Sequence, residues 1–222
     1  MTNPADLRTI RFTYTDPSGV IRSRATTGAT FAGKVSEGVG LTRAQQAVNV
    51  FEDYVAEAGL EPVGEVRLVP DLETLTQIPW VDRTGSVICD IRQSDGSEWD
   101  GCTRTVLKRQ IAAAAEMGVG IFGAFESEFY AAAGTPAEPL PWRDGPSYST
   151  ATLDRASGLL NDIVDNLQAQ GIVVEQAINE YGPGQLEVTT KWTDILRGCD
   201  TFVKLRDTVR GTAEVQHDVM AS

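Results

Sequence analysis

Asn179-Glu180-Tyr181-Gly182-Pro183-Gly184-Gln185-Leu186-Glu187 is the stretch on which the reading of the fold turns. It joins two segments of strand character, residues 172–179 and 185–190, and a tight Gly-Pro-Gly connection lets the second fold back along the first. Glu180 and Glu187 bracket that connection, so folding back brings two carboxylates together. Upstream, Phe125-Glu126-Ser127-Glu128-Phe129 lies within a predicted strand over residues 120–130. Glu126 and Glu128 are two residues apart and therefore share one face, together with Phe122, Ala124 and Tyr130. Spacing alone leaves two readings open: a solvated strand end and a loop with charged ends, or a cleft lined by carboxylates.

Working outward, Leu153, Ala156, Leu159, Leu160, Ile163, Val164 and Leu167 mark the apolar face of a helix closed by Gly171. A last helix runs from Thr193 or Asp194 to about His217, and another over residues 103–117. A Pro/Gly-rich excursion, residues 134–148, separates strand from helix. Toward the N-terminus, Ile10, Phe12 and Tyr14 alternate into the turn Asp16-Pro17-Ser18-Gly19, which predicts a hairpin. Thr42 and Gln45 form a capping box that predicts a four-turn helix running to Gly59. Strands follow at Val66 to Pro70 and Val87 to Ile91. The texture changes near Gly101, which predicts an α+β protein of two parts, residues 1–101 and 102–222.

The 222 residues carry 19 Lys+Arg against 31 Asp+Glu, a formal net charge of −12. Such a field repels polyphosphate and anionic lipid, so neither nucleic acid nor membrane is an expected partner. No run approaches the roughly 18 uncharged apolar residues that a span requires. Residues 1–11 lack the apolar core of a secretory signal, and Cys89, Cys102 and Cys199 have no metal-like spacing, so a cytoplasmic setting is expected. Four carboxylates beside a single histidine suit a hard, oxygen-preferring ion, Mg²⁺ or Mn²⁺, and not zinc. Such ions bridge nucleotide phosphates, which an acidic protein would otherwise repel.

These residues carry a resemblance. Phe125 to Phe129 resembles the paired-glutamate strand of the glutamine synthetase family, and Asn179 to Glu187 resembles its E-x-x-PGQ-x-E segment. Val69-Pro70-Asp71, Thr74 and Ile78-Pro79-Trp80 are similar to the family's PD..T…PW run. Cys89-Asp90 through Gly96, and Arg104 with Leu107-Lys108-Arg109, resemble the approach to its catalytic domain. Asp16 to Gly19 resembles its D-x-x-G hairpin.

The resemblance implies a β-grasp-like N-terminal domain followed by an incomplete catalytic domain with helices on a largely antiparallel sheet. It implies an ATP-dependent ligase that joins glutamate to ammonium or another small amine, such as a polyamine, through γ-glutamyl phosphate. Glu128, Glu180 and Glu187 would hold one Mg²⁺ or Mn²⁺ ion and Glu126 would serve a second. Glu175 would contact the nucleotide and Trp192 would lie near its adenine, although parity on a regular strand puts Glu175 and Glu180 on opposite faces. Asp16 would reach a neighbouring subunit's site in a homo-oligomeric ring to bind ammonium. The sequence departs from the family in having Asn179 where many members have His, and Cys102-Thr103-Arg104 in place of Pro-Arg. It stops short of the family's later metal histidine, nucleotide and glutamate arginines and flap glutamate. The expectation is therefore roughly the N-terminal half of a family member, inactive by itself, with a non-catalytic glutamine synthetase-like fragment as the alternative and with His217 a solvated helix-end residue.

Overall fold

A computed structural model describes residues 2–222. Two units are distinguished: the chain up to Gln77 with Arg83–Gly120, and Ile78–Asp82 with Ile121–Ser222.

In the first unit the alternation of Ile10, Phe12 and Tyr14 forms β1 (Thr9–Thr15), whose partner in the hairpin is β2 (Ile21–Thr27). The turn closes where the Gly19 N–H donates to the Asp16 carbonyl at 3.0 Å, with Gly19 in the left-handed region at φ 80°. Then follow α1 (Phe31–Glu37), β3 (Val39–Thr42), β4 (Glu65–Pro70), β5 (Thr76–Gln77), β6 (Thr84–Gln93) and α2 (Thr103–Glu116). The sheet runs in the order β2-β1-β6-β4-β3, with β5 also on β6. β1 lies parallel to β6, and the remaining pairs are antiparallel. β6 is buried from Thr84 to Ile91 without alternation, as a central strand covered on both faces must be. Its core includes Ile10, Phe12, Leu41, Val66, Leu68, Val87 and Ile91. Arg104 ties α2 to the sheet, donating to Asp90 at 2.7 Å and to Asp71 at 2.6 Å, and Lys108 donates to Asp90 at 2.5 Å.

The helix expected from Thr42 to Gly59 does not form. Thr42 ends β3 opposite Glu65, a short 3-10 turn covers Arg43–Ala47, and Val48 bridges Tyr54. Asn49 is the cause: its side-chain oxygen accepts from the backbone N–H groups of Phe51, at 2.8 Å, and Asp53, at 3.0 Å, which offers the chain a turn in place of a helix.

In the second unit, the strand expected over residues 120–130 is broken into β7 (Phe122–Gly123) and β8 (Glu126–Thr135). The Pro/Gly-rich excursion contains β9 (Glu138–Pro141), and α3 (Thr150–Ala169) is capped where the Ser149 side chain accepts from the Thr152 N–H. β10 (Val174–Asn179) and β11 (Gln185–Thr190) form the hairpin around Gly182-Pro183-Gly184. β12 (Thr193–Asp194), α4 (Ile195–His217) and β13 (Met220–Ala221) complete the unit. The main sheet, β10-β11-β8-β13 with β9 on β8, is antiparallel throughout.

One face of that sheet carries the core. Phe129, Ala131, Leu186 and Val188 meet Ala156, Leu159, Leu160, Ile163 and Leu167 of α3 and Leu205, Val209 and Ala213 of α4. Each large apolar side chain buried there contributes about 1.5–3 kcal/mol. Trp80 lies against α4 at Gly211, where an added Cβ would stand 2.1 Å from the indole nitrogen. His217 is not a free helix-end residue: its Nε2 lies 2.8 Å from Asp162 of α3.

Candidate functional site

Because side chains alternate along a strand, covering one face of β8 and β11 leaves the other to polar residues. Ser127 and Phe129 of β8 are buried and Glu126, Glu128 and Tyr130 exposed; on β11, Leu186 and Val188 are buried and Gln185, Glu187 and Thr189 half-buried. The register sets Glu187 directly opposite Glu128, with Gln185 opposite Tyr130 and Thr189 opposite Glu126. Two like charges facing each other across a pair of strands are destabilising unless something else neutralises them.

Glu180 stands at the mouth of the β10–β11 turn, its N–H donating to the Gln185 carbonyl at 2.9 Å. Burial, a hydrogen bond with Glu180 and then the charges of Glu180, Glu126 and Glu128 push the Glu187 carboxyl above the ordinary glutamate value. The other three predicted glutamates therefore all lie close enough to act on Glu187. Among the described residues none of them is ion-paired to a lysine or arginine, and no three His, Cys, Asp or Glu side chains already stand as a metal-ligand set. The four form an open acidic face, chemically matched to a hard divalent cation by its all-oxygen donors and by its unneutralised charge.

Glu175 joins this face through an irregularity that no periodicity reveals. Val174 pairs with Thr190 and Gln176 with Thr189, so Glu175 is the extra residue of a β-bulge. The bulge cancels the parity that would send it to the helical side. Glu175 and Trp192 line one cleft with Phe125, Glu126, Glu187 and Thr189. Trp192 is 60% exposed and meets Phe122 edge to face, ring centroids 5.8 Å apart, which leaves its indole available for stacking.

Two further residues escaped the sequence reading. The Tyr148 hydroxyl donates to Glu180 at 3.0 Å, and that bond is the first cause of its raised pKa. Tyr148 holds φ at 55°, and the Asn179 amide braces the same loop, its oxygen accepting from the Tyr148 N–H at 2.8 Å and its nitrogen donating to the Ser149 carbonyl at 3.2 Å. The second residue is Gln185, whose amide bonds Glu128 at 2.5 Å. Its place in the Gly-Gln-x-Glu run was the available signal; for Tyr148 there was none.

Asp16, in the first unit, is held within its hairpin turn. Its side chain is fully buried, one oxygen accepting from the N–H groups of Ser18 and Val20, both at 2.9 Å, and the other from Arg22 at 2.6 Å. Arg22 also bonds Glu52 at 3.1 Å. The carboxylate braces its own turn, an Asx arrangement typical of Asp in a loop.

An antiparallel sheet backed by two helices and fronted by paired glutamates defines a protein built to present clustered carboxylates. Residues 2–99 match the glutamine synthetase N-terminal domain and residues 100–222 the glutamine synthetase catalytic domain, so the chain belongs to the glutamine synthetase family. The members of this family are carbon–nitrogen ligases that use ATP and divalent metals. A glutamate–isopropylamine ligase from a Pseudomonas species is 28% identical over 98% of this chain and 50% of its own length. A glutamine synthetase from Mycolicibacterium smegmatis is 30% identical over 94% of this chain and 46% of its own. The crystal structure of a glutamine synthase homologue superposes with a TM-score of 0.86 at 24% identity, over 97% of this chain and 50% of that one. The chain spans about half the length of the curated relatives it matches.

Proposed function

We propose that these residues form part of an ATP-dependent ligase that makes a γ-glutamyl amide from glutamate and an amine, with Glu128, Glu180 and Glu187 sharing one Mg²⁺ or Mn²⁺ and Glu126 serving a second. The observation that carries this reading is the register placing Glu187 directly opposite Glu128. Bound divalent cations would neutralise the phosphate charge that develops during phosphoryl transfer. The chain's own contribution is positional. Strands β8 and β11 hold the carboxylates on a rigid sheet, the bulge turns Glu175 toward the nucleotide, and Trp192 offers an aromatic face to adenine. Asp16 would serve the amine in a neighbouring subunit's site, its carboxylate held in place by Arg22 and the N–H groups of its own turn.

The acceptor is ammonium or a larger amine; similarity to both an isopropylamine ligase and a glutamine synthetase supports the amide-forming class and not one amine within it. The β-grasp-like reading of the first unit belongs to the same proposal, supported by β1 lying parallel to β6 in a mixed sheet. A homo-oligomeric ring and a cytoplasmic setting rest on the resemblance and on cysteine usage. Catalysis we assign to a chain that also supplies the remainder of the family's catalytic domain. Mn²⁺ titration of the 222-residue chain followed by electron paramagnetic resonance tests the site: E128Q and E187Q should each weaken binding at least tenfold. Hydroxamate formation by a chain extended to the relatives' length, against no turnover by the 222 residues, tests the reaction. Equal activity in the two would overturn the assignment.

A further inference from the structure

We propose that Gln185 is a positioning residue that fixes the Glu128 carboxylate for cation binding, an inference that rests on the cation reading above. The Gln185 Oε1 accepts from the Gly182 N–H at 2.8 Å. That bond settles which way round the amide lies, because only the oxygen can accept. The Nε2 donor is thereby turned to Glu128, whose Oε2 it meets at 2.5 Å. Gln185 sits opposite Tyr130, so the bond runs diagonally from β11 to β8, a separation that a long side chain can bridge.

The chemistry of the amide is what makes this arrangement useful. Glu128 faces Glu187 directly, and repulsion alone would turn its side chain out to solvent. A lysine or arginine could hold it, but only by cancelling the charge that attracts a cation. A neutral amide holds one carboxylate oxygen through a charge-assisted hydrogen bond and leaves the negative charge of the face intact. The outer partners of metal-binding carboxylates act in this way.

The turn is built around the same contact. An added Cβ at Gly182 would stand 2.7 Å from the Gln185 Oε1 and 2.7 Å from the Tyr130 hydroxyl. Gly184 is a glycine because its φ is 72° and because an added Cβ would stand 2.7 Å from the Ala131 carbonyl oxygen. The two glycines of the Gly-Pro-Gly turn thus have different reasons, one making room for the Gln185 amide and the other allowing the backbone to reverse.

The test uses the ¹⁵N-labelled 222-residue chain without metal, then Mn²⁺ as the probe. One Gln185 Nε2 proton should resonate downfield and exchange slowly, and E128A should return it to an ordinary position. Q185M should weaken Mn²⁺ binding about 10- to 100-fold. In the E128Q background Q185M should have no further effect, and G182A, which displaces the amide without touching Glu128, should reproduce the loss. Ordinary, rapidly exchanging Gln185 amide protons in the wild-type chain would overturn the proposal, as would unchanged Mn²⁺ binding in Q185M or additive effects of Q185M and E128Q. If instead E128Q and E187Q bind Mn²⁺ as tightly as wild type, the cation reading fails and the purpose assigned to Gln185 falls with it. The amide spectrum then still records separately whether the contact with Glu128 exists.

Discussion

Replacing Glu187 by glutamine should stabilise the cation-free chain while removing most of its response to Mn²⁺. Glu187 lies opposite Glu128 in the β8–β11 register, and burial together with the nearby carboxylates of Glu180, Glu126 and Glu128 raises its pKa. Directly opposed side chains have Cβ atoms about 4.5–5.5 Å apart. Two unit charges about 5 Å apart repel by roughly 0.8 kcal/mol in bulk water and roughly 1.7 kcal/mol at an effective dielectric of about 40. Exposure of Glu128 and screening by salt draw the sum over neighbours toward the lower figure, so the expected gain for E187Q is about 1 kcal/mol at neutral pH and low ionic strength. The sign with pH follows from the raised pKa of Glu187. Between its unfolded and folded pKa values the folded chain binds more protons than the unfolded one, so wild-type stability falls as pH rises through that window. The advantage of E187Q should therefore be absent below the ordinary glutamate range and complete above the raised pKa. Mn²⁺ at about 100 times its dissociation constant should add about 2.7 kcal/mol to the wild-type chain and far less to the variant. Urea melts at about pH 7 and about pH 4, in low salt and in about 0.5 M NaCl, measure all of these quantities. An E187Q chain no more stable than wild type at neutral pH in low salt, or one whose advantage persists in acid, would refute the reasoning.

Asp90→Asn should cost about 2–3 kcal/mol in urea melts, because buried Arg104 keeps Asp71 but loses a charged partner. Burial pushes the Asp90 carboxyl up, but Lys108 and Arg104 bring it below the ordinary value, so the cost should be full above the usual aspartate range and vanish as pH falls through the lowered pKa. Leu159→Ala, at a fully buried position of α3, should lose about 2–5 kcal/mol by the same measurement. Gly211→Ala should improve helix propensity by about 1 kcal/mol yet displace Trp80, read as a red shift of tryptophan emission.

Elements with long, regular periods were legible in the amino-acid sequence. The apolar stripe from Leu153 to Leu167 became α3, the alternation from Ile10 to Tyr14 became β1, and residues 185–190 form β11 at the expected limits. The shared face of Glu126 and Glu128 followed from a two-residue spacing that any strand imposes. Where side chains compete with the backbone, the pattern misled: Asn49 captured the N–H groups that a helix after Thr42 would have used.

Two features of the candidate site were decided only by tertiary structure. Alternation states which way a side chain points relative to its own strand, but not which residue of another strand it will face. That Glu187 meets Glu128, and that Gln185 reaches Glu128 diagonally, depends on the register between β8 and β11, segments separated by α3 and β10 along the chain. Likewise, Glu175 reaches the acidic face because a bulge breaks the two-residue period at that point. A bulge leaves no mark in periodicity, because it comes from how two paired strands accommodate one extra residue. The sequence by itself determined the chemistry available, four carboxylates on strand-forming segments around a Gly-Pro-Gly turn. Pairing between distant strands determined that Glu187 faces Glu128, since register is set by core packing on the opposite face and not by the residues that carry the charge.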